Sequence, residues 1–254
     1  MNEALAFPDL LRLIDERSAA FRAAVAGAPD LGVRVPTCPE WTLWDLVRHL
    51  GDGRRSWAAT VAAGPDVPGR LPSPGPAAPE ERAALSAWLA ESTRLLLDAV
   101  REAGPDRGCW TWWGASQSPR TCGAVARHQL QEISVHTYDA QLAVGDGQPL
   151  PAVVALDGVE DFVFTVCATT GAWPHEPAVV DYHATEGRSW RVWLSGDGAR
   201  AARLAGSDTA ADVSARGTAS ELVLALYGRR PMESVDVAGD RRIFDRLFAW
   251  EPEV

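Results

Sequence analysis

A chain of 254 residues that is 46% hydrophobic and 23% charged has the make-up of a folded globular protein, long enough for one large domain or two ordinary ones. Its formal net charge of −10 excludes a surface built mainly for nucleic acid or an anionic membrane, because both need a basic face. No apolar run approaches the roughly 20 residues of a membrane span. The opening MNEALAFPDLLRLIDERS has no basic start followed by an apolar stretch, so a cytoplasmic protein is expected. Cys38, Cys109, Cys122 and Cys167 show no CxxC spacing, which implies neither a disulfide framework nor a cysteine metal site.

In chain order, residues 4–27 are rich in Ala, Leu and Arg, with Phe7, Leu10, Leu11, Ile14, Phe21 and Val25 near helical spacing. A turn-like GVRVPTCPEW follows. Thr42 and Asp45 then form a capping-box pattern ahead of the stripe Leu43, Leu46, Val47 and Leu50, predicting a helix to about Ala63. Residues 64–79 contain six prolines and must be a loop. Pro79 suits the first turn of a third helix, and a tryptophan-rich connector, CWTWWGASQSP, leads to a fourth helix from about Thr121 to Val144. Four helices with one long connection predict a four-helix bundle.

The second half changes character. One more helix is expected over residues 152–170. Strand patterns follow in VVDYHA, WRVWLSG and ADVSARG, then a helix capped by Thr218 and Glu221, the segment VDVAG and a terminal helix. The expected organisation is a helix bundle over 1–150 and a linker helix plus α+β domain over 151–254.

The chemistry concentrates in the fourth helix, RHQLQEISVHTYDAQ. Glu132 and His136, four residues apart, share one helical face, and Asp139 continues the stripe. His128 also lies four residues from Glu132, and the second helix offers His49. Such pairs are common on surface helices, so spacing alone leaves both the metal and the choice of histidine open. Two ligands from one helix and a third from a neighbour would make a metal site with an open position, the arrangement of a catalytic rather than a structural zinc. The same ligands accept iron, nickel or manganese.

PTCPEWTLWDLVRHLG, followed much later by HQLQEISVHTYDAQ, resembles the mycothiol-dependent maleylpyruvate isomerase family of the DinB-like metalloenzyme superfamily. The resemblance implies a DinB-like four-helix bundle followed by a small α+β domain like a sterol carrier. It implies a divalent metal, zinc foremost, held by His49, Glu132 and His136, with Asp139 as an acid behind them. It implies mycothiol as thiol cosubstrate and a small electrophilic molecule as substrate. All 24 basic side chains are arginine, a composition expected of a GC-rich, actinobacterial genome and therefore of a host that makes this thiol. ALYGRRP resembles a segment in which the family keeps an arginine, so Arg229 is a candidate for binding a substrate anion; a solvated arginine at a helix end is the plainer reading.

The function expected is thus a metal-dependent, mycothiol-using isomerase or S-transferase. Metal-assisted hydrolysis, with Asp139, Asp45 or Asp52 as base, and a non-catalytic metal-stabilised binding or regulatory protein are the alternatives. The oligomeric state is not legible.

Overall fold

The computed structural model of the protein describes residues 4–205 and 210–250. Two compact units emerge. One comprises Leu5–Trp112 with Pro119–Pro149, the other Trp113–Ser118 with the chain from Leu150 onward.

The first unit is built from α1 (Phe7–Gly27), a small hairpin of β1 (Arg34–Val35) and β2 (Cys38–Thr42), then α2 (Leu43–Ala63), α3 (Arg82–Ala103) and α4 (Cys122–Ala143). Its core is the apolar stripe of each helix: Ile14 and Phe21 from α1, Leu46 and Leu50 from α2, Leu85 and Leu96 from α3, Leu130 and Ile133 from α4. α1 packs chiefly on α4, and α2 on α3. At Gly51 a Cβ would lie 1.9 Å from the Trp88 ring, so the absent side chain is what lets α2 and α3 approach.

Both Thr42–Asp45 capping hydrogen bonds form: Asp45 N donates to Thr42 Oγ1 at 3.2 Å, and Thr42 N donates to Asp45 Oδ2 at 3.0 Å. The turn-like segment turns out to be the β1–β2 hairpin, anchored where Leu43 N and Trp44 N donate to Val33 and Leu31 carbonyls. The third helix begins later than Pro79 suggests. Glu81 is its N-cap, its carboxylate accepting from Ala83 N at 2.8 Å and Ala84 N at 2.7 Å, which satisfies two otherwise orphaned donors.

The bundle core also holds a charge. Arg54 is 2% exposed and donates to the hydroxyls of Ser18, at 2.9 Å, and Thr93. No carboxylate pairs with it among the described residues. Burial pushes its pKa down to about 10, which leaves it charged at neutral pH.

The second unit opens with α5 (Ala152–Asp161), which passes into a π-helical turn over Phe162–Cys167 instead of continuing as α-helix to 170. A five-stranded sheet follows in the order β5 (Gly198–Arg203), β4 (Ser189–Ser195), β3 (Ala178–Ala184), β6 (Val213–Gly217), β7 (Asp236–Gly239); only β3 and β6 run parallel. The capped α6 (Ala219–Leu226) and α7 (Arg242–Ala249) complete it. Val180, Tyr182, Trp190, Val192 and Leu194 are buried on one side of the sheet. On the other side Asp181 and Arg191, opposite each other across β3 and β4, form a buried bidentate pair at 2.7 and 2.8 Å. Strand β5 was not expected, because GARAAR carries no β-branched or aromatic residue; pairing with β4 imposes the conformation. The end of the tryptophan-rich connector also belongs here. Gln117 exchanges hydrogen bonds with the Ala201 backbone and Ser118 Oγ lies 2.5 Å from Thr165 Oγ1.

Among the described residues, no helix is long and apolar enough to cross a membrane.

Candidate metal centre

The capping box fixes where α2 starts, and about two turns later that helix presents His49 toward α4. From α4 come Glu132 and His136. Their nitrogen and oxygen donor atoms and that of His49 all lie within 4.8 Å of one another. His49 Nε2 is 3.4 Å from Glu132 Oε1, and the two imidazoles meet edge to face with centroids 5.2 Å apart.

A second layer aims these groups. His136 Nδ1 is 2.8 Å from Asp139 Oδ2, and Thr37 Oγ1 donates to Asp139 Oδ1 at 2.6 Å. With Nδ1–H given to Asp139, the Nε2 lone pair of His136 is the one available to a ligand. Gln129 Nε2 donates to Glu132 Oε2. Trp41, carried on β2, packs against His49 at 4.8 Å and His136 at 6.5 Å between ring centroids. Exposure falls from 38% at the His49 side chain to 18% at Glu132, 12% at His136 and 0% at Asp139. The cluster is therefore rooted in the bundle and open at His49.

Burial opposes ionisation of Glu132. The hydrogen bond from His49 and the charges of His128, His136 and His49 outweigh that penalty and hold its carboxyl well below the usual range. Two imidazoles and an ionised carboxylate in this span form a donor set that fits a borderline divalent cation, with fewer protein ligands than tetrahedral coordination requires.

His128 is oriented differently: its ring lies 5.5 Å from that of the exposed Trp112, in an edge-on contact outside the cluster of three. Trp113 is buried, and Trp110 packs 6.2 Å from Trp57. Arg229 belongs to the other unit, just beyond α6, where its Nη1 donates to the Tyr227 carbonyl at 2.8 Å. Of the three carboxylates considered as bases, Asp139 is fully buried between Thr37 and His136, Asp45 serves the helix cap, and Asp52 accepts from Ser73 at 3.1 Å. Thr37 and Gln129 are not legible as site residues from sequence, although Gln129 lies three residues before Glu132 on one helix; Trp41 enters there only as part of the segment that carries the family resemblance.

A helical bundle with a convergent His–Glu–His cluster, followed by an α+β unit, defines a two-part protein with a candidate metalloenzyme centre in its first part. Residues 11–141 match the mycothiol maleylpyruvate isomerase N-terminal domain, and residues 153–246 match the C-terminal domain of the same isomerase. The chain belongs to the mycothiol-dependent maleylpyruvate isomerase family. Crystal structures of the mycothiol-dependent maleylpyruvate isomerase and of a histidine-to-alanine mutant are similar to it, with TM-scores of 0.56, 15% and 14% identity, and 92% of this chain and 93% of those covered. At that identity the likeness speaks for the fold. No curated protein matches the chain.

Proposed function

We propose that the protein is a thiol-dependent isomerase or S-transferase acting on a small electrophilic molecule, with a divalent metal, zinc foremost, at His49, Glu132 and His136. The convergence of these three side chains carries the proposal. Family membership supports mycothiol as the thiol. A divalent ion there would supply the charge that favours thiolate over thiol at neutral pH.

The chain's own groups do the positioning. Asp139 and Thr37 hold the His136 ring and its tautomer, Gln129 orients the Glu132 carboxylate, and Trp41 limits rotation of both imidazoles. The open side at His49 admits the reactants. In isomerisation the thiolate sulfur adds to one carbon of a cis double bond, the resulting single bond rotates, and the same C–S bond breaks to return the thiolate and the trans alkene. In transfer the C–S bond persists. Family membership favours thiol chemistry over metal-assisted hydrolysis, and Asp139 and Asp45 already serve His136 and the helix cap.

Metal analysis of the purified full chain should give about one zinc per chain, falling near zero in His49→Ala and in His136→Ala. Undiminished metal in both variants would remove the assignment. Turnover of a maleylpyruvate-like acid should require added thiol; thiol-independent turnover would return hydrolysis to the front.

A further inference from the structure

The connection between α2 and α3, residues 64–81, forms neither helix nor strand, yet it is firmly seated. Ser56 Oγ donates to the Leu71 carbonyl, and Leu71 N donates to Thr60 Oγ1 at 3.0 Å. Trp88 Nε1 donates to the Pro76 carbonyl at 3.0 Å. Six prolines restrict the segment before it folds, so seating it costs little backbone entropy.

Arg70 is the residue this seating presents. Its Nε donates to Ser56 Oγ at 2.8 Å, and its guanidinium carbon lies 5.5 Å from the ring centroid of the buried Trp57. These contacts fix the plane of the guanidinium. Its Nη2 reaches to 3.5 Å from the point where Gly53 would carry a Cβ, and Glu132 Oε1 lies 3.7 Å from that same point. Gly53 stands one helical turn beyond His49, and the Arg70 guanidinium and the Glu132 carboxylate both border the space that a side chain there would occupy. No carboxylate pairs with Arg70 among the described residues, although the chain carries an excess of acids. An oriented, exposed guanidinium beside a cluster of metal-ligating groups is suited to bidentate capture of an oxyanion.

We infer that Arg70, held on the proline-rich connection by Ser56 and Trp57, binds a carboxylate of the substrate beside the His49–Glu132–His136 cluster. This rests on the reading of that cluster as the reactive centre. Arg70 thereby contributes an anchor from the same unit as the cluster.

Calorimetric titration of the zinc-loaded full chain with maleate, and with the uncharged diamide of the same acid, tests this without turnover. Arg70→Gln should weaken maleate at least tenfold and Arg70→Lys by less, since a point charge replaces a fork. Diamide binding, zinc content and thermal midpoint should stay as in the parent. Equal maleate affinity in parent and Arg70→Gln, or no saturable maleate binding by the parent, overturns the inference. The two readings fail separately. Arg70-dependent maleate binding by a chain that takes up no zinc would sink the metal assignment and keep the anchor; zinc uptake with maleate binding indifferent to Arg70 would do the reverse.

Discussion

The two units treat buried charge in opposite ways. In the sheet, Asp181 and Arg191 close on each other in a bidentate pair, and Glu160 accepts from Arg203 at 2.6 and 2.8 Å. Each charge there meets its opposite. In the bundle, Arg54 rests on two hydroxyls with no ion-pair partner among the described residues, while the half-buried Glu132 sits among histidines. Matched charges fasten a fold. A buried charge that lacks its opposite costs stability, whereas a carboxylate set among imidazoles keeps a capacity for a cation.

Asp181→Ala should have the largest effect on stability, a loss of about 1.5–3 kcal/mol, because it removes the carboxylate that accepts two hydrogen bonds from Arg191. Urea denaturation of the full chain measures it, and a loss below about 1 kcal/mol would show that the sheet pair is no fastening. Asp139→Asn should lower metal affinity by roughly 10–100-fold while barely altering the urea midpoint of the sheet unit, since it disturbs only the tautomer and aim of His136. Competition with a chromogenic chelator reads that change; an unaltered affinity would make Asp139 a purely structural acid.

Arg54→Met probes the other side of the contrast. Ser18 Oγ also donates to the Ile14 carbonyl and Thr93 Oγ1 to the Leu89 carbonyl, so both hydroxyls stay satisfied without the guanidinium. Stability should hold within about 1 kcal/mol or rise. A loss of several kcal/mol would mean that Arg54 stabilises the bundle after all. A comparably small effect is expected at the cap. Thr42→Ala should cost about 1 kcal/mol. Hydrogen bonds from Thr42 lower the Asp45 pKa in the folded chain, so this contribution is complete above the ordinary carboxylate range and is lost as the pH falls through the depressed value. The difference between parent and variant should therefore shrink in acid, and a constant difference from neutral pH to below that range would contradict it.

What could be read from sequence follows locality. The caps at Thr42 and Thr218, the four bundle helices and the shared face of Glu132 and His136 are set by residues three or four apart, and they stand as expected. The alanine-rich β5 and the β1–β2 hairpin take their form from partners, and no local pattern announces them. The same holds for Thr37 on Asp139 and for Arg70 over Trp57, contacts made across 102 positions in the first case and set by one proline-rich detour in the second. Spacing offered Glu132 and His136, and the family resemblance singled out His49 as their companion; only folding shows what steadies the three.

The path of the chain between its units has a consequence for how the protein is made. Trp113–Ser118 is synthesised before α4, yet it belongs with strands and helices that emerge only after Leu150. On the ribosome, α4 can complete the His49–Glu132–His136 cluster while the segment just before it still waits for Ala201 and Thr165. A gene cut at a single point cannot deliver either unit whole.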